Sequence, residues 1–301
     1  MTFGAYSLCL SCVFNFSIKL LYRTIPLIKH HFNTVQTVEG ILLLATKYQV
    51  DHLRKPIITI LEGDWPTDLD TWHLAEGELK ALHEAYDNLL DESAPEPCSA
   101  IALARCCDVP TILVAAFYHL SRVYDHSFRK RVRAARDENG DGDSDTEFAE
   151  SVARDEHFEN KEDYLYKGGR MADLELLTPE DTARMLKGRK AMVDYFVEHS
   201  VKAATAADEH ECAHQNPEAC SENFMQILGD IYSDVMDDYD PLKVLATIRD
   251  YLPPLIGRPC GEAWVTYENY FRDHQVESTL WDKLPEFFGM SQVEASFTTD
   301  V

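Results

Sequence analysis

Apolar side chains recur three, four and seven positions apart along most of this chain, and the two-residue alternation of a β-strand is nearly absent. That spacing places apolar residues on one face of an α-helix, whereas a strand would alternate them between two faces. We therefore predict an all-α fold. The predicted helices are marked by Val38 to Ala45, Leu53 to Leu61, Trp72 to Leu89, Ser99 to Cys107, Thr111 to Val123, Met185 to Val197, Phe224 to Val235, Leu242 to Leu252 and about Cys260 to Leu280.

Polar and proline residues predict where several helices begin and end. Asp51 is placed to cap the second helix, and Pro56 inside that helix predicts a kink or a late start. Thr178-Pro179-Glu180-Asp181 combines a capping residue, a proline at the first helical position and acids in the first turn. Asp240-Pro241 predicts a further helix start, and Pro253-Pro254 its end.

The charge changes abruptly in the middle of the chain. Six basic residues with one acid lie between Arg122 and Arg136, whereas Asp137 to Asp163 holds twelve acids against two bases, a formal charge of −10. Such a stretch repels itself and has few apolar anchors, so we predict a disordered acidic insertion at 137–168. The predicted parts around it are a helical region at 64–136, a C-terminal helical region at 169–290 and a tail at 291–301.

The whole chain is acidic, with 28 Lys and Arg against 52 Asp and Glu and a formal charge of −24. Binding to nucleic acid or to an anionic membrane needs cations that neutralise phosphate, so we predict neither partner. No apolar run reaches the length that crosses a bilayer. Eight cysteines in 301 residues are too sparse for a disulfide scaffold, which favours reduced thiols and a cytoplasmic or nuclear location.

The N-terminal stretch from Ala5 to Phe16 is apolar and superficially similar to the apolar region of a signal peptide. The first charge is Lys19, so the basic residues that should precede such a region are missing. We therefore interpret the stretch as a buried segment, or as an unnatural leader from a mis-set gene start.

One acidic motif resembles a calcium-binding loop. Asp137, Asn139 and Asp141 stand at the first, third and fifth positions of the twelve-residue pattern, and Gly142 occupies the turn. The twelfth position requires a bidentate glutamate and is Phe148 here. We favour a solvated acidic loop over a calcium site.

His210, Cys212, His214 and Cys220 form a second candidate metal site, which Cys260 would complete. Their side chains suit zinc, but no Cys-x-x-Cys pair holds two ligands together. We favour a polar loop with incidental histidines and buried thiols, so no metal ligand is assigned. A metal-binding regulatory protein, using zinc or calcium, is the alternative function.

Enzyme signatures are missing from the sequence. It contains no Gly-x-Ser-x-Gly elbow, no phosphate-binding loop ending in Gly-Lys-Ser or Gly-Lys-Thr, and no Gly-x-Gly-x-x-Gly behind a strand. The adjacent Cys106 and Cys107 lie on an apolar helical run and are predicted to be core residues. We therefore predict a non-enzymatic protein with no catalytic residue and no cofactor.

Four stretches, at 41–60, 100–123, 174–192 and 278–290, together resemble the family of fungal BTB/POZ-domain proteins that is expanded in mushroom-forming fungi. Ile41 to Ile60, ILLLATKYQVDHLRKPIITI, is similar to the last two helices of a BTB domain, and Ala100 to Val123 is similar to the helical pair that follows. Leu174 to Met192 resembles the family's next helix, with its Gly188-Arg189 step. Ser278 to Met290 resembles the family's closing Trp-Asp-x-Leu-Pro-x-x-Phe-Gly box.

The resemblance implies a protein–protein interaction module, because BTB domains self-associate and can recruit cullin-type ubiquitin ligases or transcriptional regulators. It also implies that 1–63 is a truncated BTB remnant, the C-terminal part of that fold, followed by an irregular helical bundle. The opening strands and helices of the domain do not fit ahead of Ile41, so we expect this chain to have lost BTB-type pairing and cullin docking. The Cys-x-x-Cys pairs common in the family have lost their first cysteine, at Pro217 and Gly257.

Two groups of apolar residues are predicted to belong to the core. The first lies on the BTB-like helices and would be exposed unless the downstream helices cover it. The second belongs to the closing box and suits an apolar clasp over the C-terminal helices. The two groups are Ile41, Leu42, Leu53 and Ile57, and Trp281, Leu284, Phe287 and Phe288.

Overall fold

The computed structural model describes residues 30–31, 33–86, 94–123, 172–208, 217–255 and 261–290. Of these described residues 84% are helical and none lies in a β-strand, so the all-α prediction is confirmed. The acidic insertion and the tail predicted at 137–168 and 291–301 lie outside the described residues. The helices of the described part are α1 (Thr34–Lys47), α2 (Asp51–Asp64), α3 (Leu69–Tyr86), α4 (Pro97–Cys107), α5 (Leu113–Ser121), α6 (Pro179–Asp208), α7 (Pro217–Asp238), α8 (Pro241–Leu255), α9 (Gly261–Asp273) and α10 (Val276–Phe287), with short 3₁₀ turns at Pro110–Ile112 and Leu174–Leu176.

The first two helices form a hairpin whose inner apolar face is covered. Leu42 and Ile57 are buried in the main core, Ile41 is partly buried against it, and Leu53 lies in a small cluster between the two helices. The hairpin contacts α4, and the Arg54 guanidinium donates a hydrogen bond to the carbonyl oxygen of Cys107 at 3.1 Å. A cation at the end of α4 also complements the negative end of that helix dipole.

The thirty-residue helix α6 contacts α5, α9 and α10 and is the centre of the bundle. It begins at the predicted cap, where Thr178 Oγ1 accepts a hydrogen bond from the Asp181 backbone N–H at 3.1 Å and donates one to the Asp181 carboxylate at 2.8 Å. The cap satisfies an N–H group that the first turn leaves without an intrahelical partner. Met192 and Phe196 are fully buried along the inner face.

Three predicted boundaries are wrong. Asp51 is the first residue of α2 rather than its cap. Of the kink or late start predicted at Pro56, the late start does not occur, because α2 already runs through Pro56. Pro253-Pro254 lie in the last turn of α8 instead of following it. The single helix predicted from Cys260 to Leu280 is two helices, because the backbone of Gln275 adopts a left-handed φ of 48° between α9 and α10.

The closing box packs mostly inward. Trp281, Leu284 and Phe288 are buried, as predicted for an apolar clasp. The Phe288 ring lies directly against the backbone of α6 at Gly188, where a Cβ would overlap it. Phe287 differs from the prediction, because it is half-buried at the surface.

One apolar core runs through the described helices. Its buried residues begin at Val35 in α1 and end at Met290 after α10, so helices of the 1–63, 64–136 and 169–290 parts all contribute to it. None of the helices in the described ranges is both long enough and apolar enough to span a bilayer.

Candidate functional site

The residues considered as metal ligands fall mostly outside the described part of the chain. The acidic motif Asp137 to Phe148 lies there, as do His210, Cys212, His214 and Cys260. Cys220 belongs to α7, but its side chain is not among those described. Within the described residues, no group of three or more His, Cys, Asp or Glu side chains is placed to hold a metal ion. The solvated acidic loop at Asp137 to Phe148 and the polar loop without zinc, both favoured from the sequence, therefore remain predictions.

The adjacent thiols Cys106 and Cys107 differ in exposure, so the prediction that both are core residues is wrong for Cys106. Cys107 is buried in α4, whereas Cys106 is exposed. Neighbours on a helix lie about 100° apart around its axis, which puts these two on different faces. Burial raises the pKa of the Cys107 thiol to about 11, and the neighbouring Cys106 adds to that rise.

We expect a brief pulse of N-ethylmaleimide at about pH 8 to modify Cys106 and to spare Cys107 and Cys98. The thiolate is the reacting species, and Cys107 is both protonated and covered at that pH. Peptide mass spectrometry of the native protein measures the labelling, and denatured protein, in which all three thiols react, is the control. Faster labelling of Cys107 than of Cys106 would contradict the described burial.

The charged centre of the structure is Arg122, which follows α5 and is 5% exposed. Its guanidinium donates hydrogen bonds to both carboxylate oxygens of Glu76 on α3, at 3.0 and 3.1 Å, and to Asp240 at 2.9 Å. The rings of Trp72 and Tyr118 lie against it, with centroids at 4.8 and 5.3 Å. The Tyr118 hydroxyl donates to the other oxygen of Asp240 at 2.6 Å. We call these five residues the Arg122 cluster.

The Arg122 cluster joins α3, α5 and the start of α8. Burial opposes the charge on Arg122, but the carboxylates of Glu76 and Asp240 outweigh it and raise the pKa, so the guanidinium stays charged. For Tyr118, burial raises the pKa, so the hydroxyl keeps its proton and can donate a hydrogen bond. The charged and hydroxyl groups of the Arg122 cluster form hydrogen bonds with one another. Such an arrangement is typical of a structural network that fixes how helices pack.

A strip of partly exposed rings crosses the surface formed by α6, α9 and α10. Phe287, Tyr195, His199, Tyr270 and His274 follow one another along it, with centroid distances of 5.9, 4.5, 6.1 and 4.0 Å between successive rings. His274 is exposed and the other four are half-buried. We call these five residues the aromatic strip.

Two copies of one short motif build most of the strip. Tyr195-Phe-Val-Glu-His199 lies on α6, and Tyr270-Phe-Arg-Asp-His274 spans the end of α9. Tyrosine and histidine are four positions apart in each copy, so they share a helix face. Phe196 and Phe271 turn to the core and stack at 6.0 Å, which holds the copies side by side. This repeat is the sequence signal from which the strip could have been predicted.

The polar atoms of the strip are partly engaged within the protein. Burial lowers the pKa of His199, and nearby Lys202 adds to that shift, so this imidazole is neutral at pH 7. The ammonium group of Lys283 lies over the Tyr195 ring, 5.7 Å from its centroid. His274 Nδ1 is 2.8 Å from the backbone carbonyl oxygen of Tyr270, to which it donates.

Three of the stretches that carry the family resemblance meet in the structure. Arg189 donates hydrogen bonds to the carbonyl oxygens of Ser121 and Val123, at 2.7 and 2.9 Å, just after α5. Gly188 faces Phe288 of the closing box. The packing of α6 therefore explains why glycine is followed by arginine here. Gly188 leaves room for the Phe288 ring, and Arg189 is long enough to reach the end of α5.

The comparisons with known proteins add no relative. The chain matches no protein-family model, no curated protein and no solved structure. The BTB/POZ assignment rests on the four stretches of sequence alone and is a proposal.

Proposed function

We propose that this chain is a non-enzymatic protein–protein interaction module that binds its partner through the aromatic strip. The strip itself is the observation that carries the proposal, because five neighbouring rings are partly exposed beside a core in which Phe196 and Phe271 are buried. Aromatic side chains are enriched at protein interfaces, where they bury a large area at a low cost in side-chain entropy. Apolar surface grouped in this way is typical of a binding face.

Other classes of ligand suit the described surface less well. A row of rings can stack on single-stranded nucleic acid, but such sites lie in a positively charged groove, and this chain carries a formal charge of −24. A metabolite usually occupies a pocket of about 300–1,000 Å³. The cleft beside the Arg122 cluster holds about 190 Å³, and one beside Arg54 about 180 Å³. A protein partner is therefore the class that the strip supports best.

The sequence resemblance to mushroom-type BTB/POZ proteins supports the same class of function. On that resemblance we infer a cellular role as an adaptor of a ubiquitin ligase or as a partner of transcriptional regulators. The strip lies on α6, α9 and α10, beyond the BTB-like part at 1–63. Binding through it does not require the dimer interface of a complete BTB domain.

Site-specific photo-crosslinking tests the proposal. A benzophenone amino acid placed at His274 should capture a particular protein in the source cell, because this ring is the exposed end of the strip. The same amino acid at Met225, 61% exposed on α7, is the control and should not capture that protein. The captured protein, once purified, should bind the purified chain directly. Capture of the same proteins from both positions would argue against the strip as the binding surface.

A further inference from the structure

A lysine beside the aromatic strip has no carboxylate to pair with. Lys283 on α10 is half-buried, and its ammonium group lies over the Tyr195 ring, 5.7 Å from the centroid. Within the described part of the chain it forms no ion pair. The face of a ring attracts a cation, but it does not satisfy the three N–H donors of an ammonium group. The positive charge of Lys283 is therefore available to a partner.

The acid that interacts with this lysine is already paired with another one. Glu198 Oε1 accepts a hydrogen bond from Lys202 Nζ at 2.6 Å, one turn further along α6. Positive charge prevails around His199, at the middle of the strip. Burial lowers the pKa of His199 most, and three neighbours, Lys202, His274 and Lys283, lower it further, while Glu198 raises it. Since neighbours that lower a histidine pKa disfavour a further cation, the middle of the strip attracts negative charge.

This local charge is opposite in sign to that of the whole chain. The chain carries a formal charge of −24, which repels an acidic partner at long range. At physiological ionic strength, salt screens exposed charges that lie more than about 8 Å apart. A group in contact with the strip therefore responds mainly to the charges beside it. Among these, Lys283 is the cation without an ion pair in the described residues, and electrostatic complementarity favours a carboxylate there.

We propose that the partner contacts the aromatic strip through a short acidic segment, in which an apolar or aromatic side chain packs on the rings and a carboxylate pairs with Lys283. Half-buried rings such as Tyr195 and Tyr270 can make offset or edge-to-face contacts with a side chain from outside. The inference rests on the function proposed for the strip and names the chemistry of its partner. A nucleic acid also combines negative charge with rings, but it needs a positively charged groove along its backbone, and Lys283 is a single cation.

Peptide selection tests the proposal without a known partner. Randomised short peptides displayed on phage are selected on the immobilised full chain, and clones that fail to bind the Tyr270→Ser variant are kept as ligands of the strip. We expect these peptides to combine Asp or Glu with a large apolar residue. Displacement of the peptides by a short oligothymidylate would overturn the proposal in favour of nucleic acid.

Charge reversal at Lys283 tests the contact itself. Lys283→Glu should raise the Kd of the selected peptides by about tenfold or more, because a like charge then faces their carboxylates. Lys55→Glu on α2 is the matched control and should leave the Kd nearly unchanged, since Lys55 also forms no ion pair in the described part of the chain and the change in net charge is the same. Peptides whose acids are replaced by lysine should bind Lys283→Glu more tightly than the wild-type chain. An equal Kd for Lys283→Glu and the wild type, or an equal rise in both variants, would overturn the proposal.

The selection also separates this inference from the function on which it rests. Peptides that need Tyr270 but lack acids would overturn the inference and leave the strip as a binding surface. Failure to recover any peptide that needs Tyr270 would overturn both. The Kd is compared among variants with wild-type melting temperatures, so that a loss of fold is not counted as a loss of binding.

Discussion

Replacement of Arg122 by methionine is expected to lower the free energy of unfolding by about 3–5 kcal/mol. The change leaves the carboxylates of Glu76 and Asp240 without their common cation, and Asp240 is 5% exposed. Asp240 keeps its hydrogen bond from the Tyr118 hydroxyl but loses this counter-charge, which is costly because the interior solvates a buried charge much less well than water does. Methionine keeps an apolar stem against the Trp72 and Tyr118 rings, so the loss reports mainly on charge. Urea unfolding followed by circular dichroism measures it.

Lys190→Met is the control for that variant. Lys190 also pairs with an aspartate, Asp194, but both side chains are exposed, at 76% and 61%. Ion pairs with solvent access contribute about 0–1 kcal/mol, so this variant should unfold at nearly the wild-type urea concentration. Equal losses from the two substitutions would mean that the Arg122 cluster does not join α3, α5 and α8.

Gly188→Ala should lower the free energy of unfolding by about 3 kcal/mol, the upper end of the usual range for an overpacked core. The added Cβ would overlap the Phe288 ring. That ring is fully buried and stacks on Phe117 at 5.5 Å, so it has no open space to move into. Helix α6 is held in turn by α5, α9 and α10. Urea unfolding of the single variant measures the effect.

Two companion variants separate the overlap from the loss of a glycine. Gly229→Ala, at an exposed site of α7 where a Cβ meets no atom, should raise stability by about 0.5–1 kcal/mol because alanine favours a helix. Phe288→Leu should partly rescue Gly188→Ala in a double-variant cycle, since the smaller side chain leaves room for the methyl group. Independent effects in that cycle would show that Phe288 is not the reason for the glycine.

Local features of this fold can be predicted because they depend on neighbours in the chain. The spacing of apolar residues locates most of the described helices, and Thr178-Pro179-Glu180-Asp181 locates the start of α6. The break at Gln275 cannot be found in this way, because neither glycine nor proline marks it. A left-handed backbone is uncommon for a residue other than glycine, so the local sequence gives no signal for this break.

Long-range partners account for what the sequence analysis missed. Arg122 opens a run of basic residues, and composition alone assigns such a run to solvent. In the structure Glu76 and Asp240, 46 and 118 positions away, engage it in the interior. The aromatic strip has the same origin, because each Tyr-Phe-x-acid-His motif is local but the strip exists only where α6 packs against α9.

The affinity of the chain for the protein captured at His274 tests the proposed function most directly. We expect Tyr270→Ser to raise the Kd by about tenfold to a hundredfold, because the loss of one central ring removes a large share of the binding energy. Tyr232→Ser is the matched control, a partly buried tyrosine on α7 outside the strip, and should leave the Kd nearly unchanged. Isothermal titration calorimetry on variants with wild-type melting temperatures makes the comparison. An unchanged Kd for Tyr270→Ser, or an equal rise for both variants, would contradict the account.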